Sequence, residues 1–244
     1  MSRNRRREDL QDETLFLDGC AVSLSCKVSP RARRMTLRVD AKTGGVQLTL
    51  PRGASRRDGL DFAERHRDWL LRRLADLPPA VPFLDGVEIP YLGAPHLIRH
   101  APEARRGVWR EAGEIVVSGG AEFVPRRVTD FLKREAKREI QGRAQAKAEL
   151  LPAKARTLRR VTLRDTRSRW GSCAHSGDLS FSWRLILAPD PVLDYVVAHE
   201  VAHLAEMNHG PAFWRLVGRL ADAVAEPKAW LRREGAGLHR YGLE

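Results

Sequence analysis

The sequence predicts an α+β fold: a β-rich N-terminal region carrying one helix, then a C-terminal domain of helices packed on a short sheet. Three observations predict it. Short apolar runs broken by turn signals fill residues 14–122. Helix-period patterns dominate residues 123–244. Two strand patterns, at 161–163 and 179–187, interrupt those helices. A chain of 244 residues that is 43% hydrophobic is long enough to bury a sizeable core.

Residues 1–13 are polar, charged and aperiodic, and read as a disordered basic arm. Strands are expected at 21–28, 35–39 and 46–50, with Gly44-Gly45 marking a hairpin turn. Ser55 is a candidate N-cap for the following helix, whose apolar stripe is Leu60, Phe62, Trp69, Leu70 and Leu74. The proline-rich run 77–82 ends it. Short strands are expected at 86–92, 96–100 and 114–117. Residues 128–151 form a long charged helix with Phe131, Leu132, Ile140 and Leu150 as apolar members. After the two later strands come helices at about 191–207 and 211–224, and a short one near Pro227. Asp190 is placed to cap the first of these, and Pro191 suits its first turn.

Composition excludes several classes. No apolar stretch approaches membrane-spanning length, and the basic N-terminus has no apolar core behind it as a secretory signal would. Three cysteines without a CxxC pair do not make a disulfide framework. No internal repeat appears. A cytoplasmic protein is expected. The net charge of +12 divides as +8 in residues 1–150 and +4 in 151–244, so it is spread along the chain. Such a balance suits a well-solvated surface first and anionic partners second.

The chemistry concentrates at His199-Glu200-Val201-Ala202-His203. Helical residues four apart share a face, so both histidines can grip one metal ion. Glu200, beside the first, is placed to take a proton from a metal-activated water. The helix is expected to end at Asn208, where Gly210-Pro211 turns the chain. That turn carries His209, six residues past His203, as a third imidazole. Three histidines leave a fourth zinc position for water, the requirement of a catalytic site. The spacing is similar to the metzincin run His-Glu-x-x-His-x-x-Gly-x-x-His, with Glu206 in place of the glycine. Glu206 reads either as an acceptor orienting an imidazole or as an exposed helix charge.

A second segment, Arg167-Ser168-Arg169-Trp170-Gly171-Ser172-Cys173, lies between the two later strands. Arg167 and Arg169 are candidates for anionic substrate groups, while Trp170 suits a structural corner. Arg184 and Tyr195 are further candidates for substrate contact, and Tyr195, Arg184, His239 and Tyr241 all remain open as stabilisers of an oxyanion.

Residues 168–214, including SRWGSC, GDLSFSWRLILAP and DYVVAHEVAHLAEMNHGPAFW, resemble the YgjP-like metallopeptidase family of SprT-like zincins. The N-terminal features Arg31-Ala32-Arg33-Arg34, Leu50-Pro51 and the helix reaching Trp69 also fit, so the resemblance covers roughly residues 15–235. It implies a small zincin-like domain with an N-terminal β-rich extension. It also implies one zinc ion per chain on His199, His203 and His209, and Glu200 as general base. An extended peptide is expected to pair with a strand above the helix, for which residues 179–187 are the candidate. Peptide or protein is the expected substrate. The charge also admits a nucleotide or nucleic acid, and no membrane partner is indicated. Two alternatives remain open at this point: a zinc-dependent nucleotide phosphoanhydride hydrolase of the nucleoside triphosphate pyrophosphatase type, and a non-catalytic zinc-bearing binding module.

Overall fold

The computed structural model describes residues 11–18, 20–40, 44–77, 79–166 and 169–243. The chain divides into two compact units, residues 1–79 and 80–244. The boundary expected at 122/123 falls inside the second unit. The expected disordered arm lies outside the described residues up to residue 10, and its last three residues belong to the first strand.

In the first unit, β1 (Gln11–Leu17), β2 (Cys20–Ser29), β3 (Thr36–Val39) and β4 (Val46–Pro51) form a sheet ordered β1-β2-β4-β3. β2 and β4 run parallel, and the outer pairs are antiparallel. Alternation buries Val22, Leu24 and Cys26 on β2 and Val46, Leu48 and Leu50 on β4. Two helices cover that face where one was expected: α1 (Arg56–Arg65) and α2 (Arg67–Ala75), broken at His66. Ser55 caps α1 in a reciprocal box with Asp58. Gly59 lets α1 approach closely, since a Cβ there would stand 2.7 Å from Leu48 Cδ2.

The second unit opens with β5 (Glu88–Tyr91), β6 (Ala94–His100), β7 (Val108–Glu111) and β8 (Glu114–Val117), ordered β5-β6-β8-β7. The long α3 (Val124–Glu149) buries Val124, Val128, Phe131, Leu132, Ala136, Ile140 and Ala144, an i, i+3/i+4 stripe. A second sheet follows: β9 (Arg160–Arg164), β10 (Gly171–Cys173) and β11 (Asp178–Ser182), ordered β10-β11-β9. β11 stops at Ser182, and Trp183–Leu187 coil into a fully buried 3₁₀ turn, so the strand expected over 179–187 is half strand and half turn. The unit closes with α4 (Asp190–Ala202), α5 (Pro211–Leu220), α6 (Ala225–Arg233) and a 3₁₀ turn, Gly235–Arg240. Among the described residues no helix is long and apolar enough to cross a membrane.

Candidate metal centre

α4 runs through the core, and both its ends are held. At its start, the β5–β6 turn lies against Pro189. Gly93 has φ of 81°, and a Cβ there would come 2.8 Å from Pro189 Cα. The N–H of Leu92 donates to Ile186 O at 2.7 Å. Pro189 is the cap residue, so Asp190 sits one position inside the helix rather than capping it. There the first-turn acids face α3. Lys147 Nζ donates to Asp194 at 3.0 Å, and Arg143 pairs with Asp190.

The other end corrects the expectation of a helix to Asn208. Helical geometry stops at Ala202, with His203 as the C-cap. The N–H groups of Leu204, Ala205 and Glu206 fold back onto the carbonyls of Val201 and Ala202 in tight turns. Arg156 takes what is left: its guanidinium donates to His203 O at 2.5 Å and to Leu204 O at 3.3 Å. Gly210 then adopts an extended conformation and Pro211 starts α5.

This turn brings His209 back over α4. One ring nitrogen from each of His199, His203 and His209 lies within 4.8 Å of the others. His199 Nε2 and His209 Nε2 are 3.1 Å apart. A carbonyl only accepts, so the 3.0 Å contact of His203 Nδ1 with Glu206 O is a donation from Nδ1–H, which leaves Nε2 a lone pair. Glu206 thus orients an imidazole through its main chain, where its carboxylate had been the candidate. Phe213 floors the cluster, stacked on His203 at 4.5 Å and edge-on to His199 at 4.9 Å. Burial, aided by the neighbouring imidazoles, lowers His199 to a pKa of about 4 and holds His203 below its ordinary value. Both shifts favour the neutral imidazole, the form in which histidine binds a metal.

Glu200 is 6% exposed, and burial pushes its carboxyl up to about 7 against the opposing pull of Arg169. Its side chain lies directly under Gly171: a Cβ at 171 would stand 2.5 Å from Glu200 Cγ. β10, the Gly171–Cys173 end of that segment, is therefore an edge strand laid across the acid. Trp170 O accepts from Ser182 N–H and Ala174 N–H donates to Asp178 O, so residues 170 and 174 turn their backbone groups toward β11. By alternation Gly171 and Cys173 turn theirs to the free edge. The edge strand beside α4 is accordingly β10; residues 179–182 lie in the central strand.

The remaining candidates separate. Arg184 is 2% exposed, paired through Nε with Asp165 at 2.8 Å and donating to the carbonyls of Leu238 and Tyr241, which makes it a buried structural tie and not a substrate contact. Tyr195 lies one turn before His199 with its ring 6.0 Å away, and burial raises its hydroxyl pKa. Arg169 is exposed beside Glu200. Arg167 lies outside the described residues. From sequence, the glycine beside Trp170 reads as a turn bringing backbone near a site, without Glu200 as its neighbour, and Arg156 is missed altogether. That glycine was the only signal for the contact.

Three imidazoles close enough to share an ion, with a buried carboxyl beside the first, make this cluster a candidate metal centre. The chain belongs to the YgjP-like family: the family model described as "YgjP-like, metallopeptidase domain" matches residues 33–234. Comparison with curated proteins and with solved structures found no match.

Proposed function

We propose that the chain is a zinc-dependent peptidase in which His199, His203 and His209 hold one zinc ion and Glu200 is the general base. The convergence of three ring nitrogens within 4.8 Å carries this reading. Nitrogens about 2.0–2.1 Å from a tetrahedral zinc stand roughly 3.3 Å apart, and the 3.1 Å separation of His199 and His209 fits that edge. Bound there, zinc would polarise a scissile carbonyl and acidify a water.

The chain's own residues do the rest. Glu200, buried with a raised affinity for protons, accepts the proton of the attacking water and delivers it to the departing amine. β10 offers the outward backbone groups of Gly171 and Cys173 to an extended peptide. Tyr195, kept protonated by burial, is the candidate donor to the developing oxyanion. The nucleotide-hydrolase alternative loses support, because Arg184 is sequestered and the phosphate clamp it required is incomplete. A binding module would have no use for a buried acid under the edge strand.

Elemental mass spectrometry and a peptide-library digest test the reading together. About one zinc per wild-type chain is expected, with occupancy weakened in His209→Ala. New peptide termini should appear with wild type and be lost, with zinc retained, in Glu200→Gln. A wild-type chain that takes up no zinc on reconstitution would overturn it.

A further inference from the structure

The candidate centre is bordered by cations from two directions. Lys228 of α6 sits over the Trp214 ring at 4.5 Å, and that ring lies 5.9 Å from both His199 and His209. One turn further along the same face of α6 is Arg232. From the β10 side comes Arg169, exposed and two residues before Gly171, where a Cβ would stand 2.5 Å from Glu200 Cγ. Among the described residues, none of Arg169, Lys228 and Arg232 makes an ion pair within 4.0 Å. Unpaired cations on two sides of the centre raise the positive potential that an anionic ligand would meet there.

We propose that Arg169, Lys228 and Arg232 form a cationic rim that selects acidic peptides, with Asp or Glu side chains flanking the bond placed at the histidine cluster. The proposal deepens the peptidase reading and rests on it for the identity of the bond. An extended peptide suits the geometry better than a nucleic acid. The open edge of β10 presents amide and carbonyl groups to another backbone, and Lys228 lies over the Trp214 ring where a base would have to stack.

The test measures binding apart from turnover. Three fluorescent peptides of identical length and sequence carry Glu, Gln or Lys at the positions flanking the central bond. Anisotropy titration uses the full chain treated with chelator, so that nothing is cleaved. The Glu peptide should bind about tenfold tighter than the Lys peptide, the sum of a few exposed charge pairs. That preference should shrink as salt rises. The double variant Lys228→Glu/Arg232→Glu should abolish or reverse it in a chain that still melts cooperatively, and the milder Lys228→Gln/Arg232→Gln should abolish it. An equal charge reversal at Arg105 and Arg106, on the β6–β7 loop, should leave it intact. Equal affinity for the three peptides overturns the proposal, as does an oligonucleotide that displaces the Glu peptide at lower concentration than the peptide itself needs. A Glu peptide that binds as expected and is never cleaved by the zinc-loaded chain would leave the rim standing and sink the peptidase reading instead.

Discussion

Gly171 and Glu200 share one small space, and the glycine is there because the acid needs the room. Replacing it tests that relation directly. In Gly171→Ala the new methyl group must displace a buried carboxyl or shift β10. A misplacement of about 1 Å at a catalytic group costs on the order of a hundredfold in rate. We expect peptide hydrolysis to fall by about that much while zinc content stays near wild type; activity within twofold of wild type would show that the acid has slack. The same pair shows what the sequence could and could not convey. The approach of His199, His203 and His209 to one another was legible because helical spacing and a following turn constrain their positions. The steric tie between 171 and 200 links positions far apart in the chain and leaves no local pattern. Arg184 misled for a related reason. A surface arginine and a buried one look the same in sequence, and only Asp165 with two distant carbonyls tells them apart.

The end of α4 depends on one side chain from a neighbouring loop. Arg156 satisfies two carbonyls at the turn where His203 leaves the helix, and it does so with a planar fork that a lysine cannot reproduce. Arg156→Lys and Arg156→Ala should both lower the melting stability, the alanine by about 1–3 kcal/mol. Both should also weaken zinc binding, because His203 is held less firmly. Thermal melts and competition with a chromophoric chelator check this, and an unchanged zinc affinity would reduce Arg156 to a purely structural tie. Elements with long patterns, such as α3 and the β2 and β4 strands, were legible from periodicity. β10 was not: three residues containing a glycine carry too little pattern to be told from a loop. The stop at Ala202 was also hidden, since Leu204 to Met207 continues an acceptable helical sequence and tertiary bonds decide where it breaks.

At the scale of the whole molecule, the two units have separate apolar cores, and only residues 80–244 carry the histidine cluster. A ligand stabilises only what it binds, by about 4 kcal/mol at a thousandfold excess over its dissociation constant. Scanning calorimetry with and without chelator should therefore move the transition of the second unit. Trp109, Trp170, Trp183, Trp214 and Trp230 report on that unit, and Trp69 alone on the first. An equal shift for both units would mean that they unfold as one. The division itself was partly legible: the proline-rich run at 77–82 was read as a linker, yet the change to long helices near 122 looked like the stronger boundary. The structure shows why. The β5-β6-β8-β7 sheet and α3 share one core with the centre's own helix, so the β-rich character of residues 84–117 belongs to the second unit.

The short return from His203 to His209 has a thermodynamic meaning. Only five residues separate the two ligands, and the first turns are already held by bonds to Val201 and Ala202. The third imidazole is thus a tethered reagent, present at the other two at an effective concentration of about millimolar or above. Capturing it adds little loop-closure entropy, because little of the loop is left free. On the proposed reading, an ion that met His199 and His203 would find its third donor at once, and one that lost His209 would regain it before it could diffuse away. The tether would then favour retention of the ion over and above the strength of any single nitrogen bond.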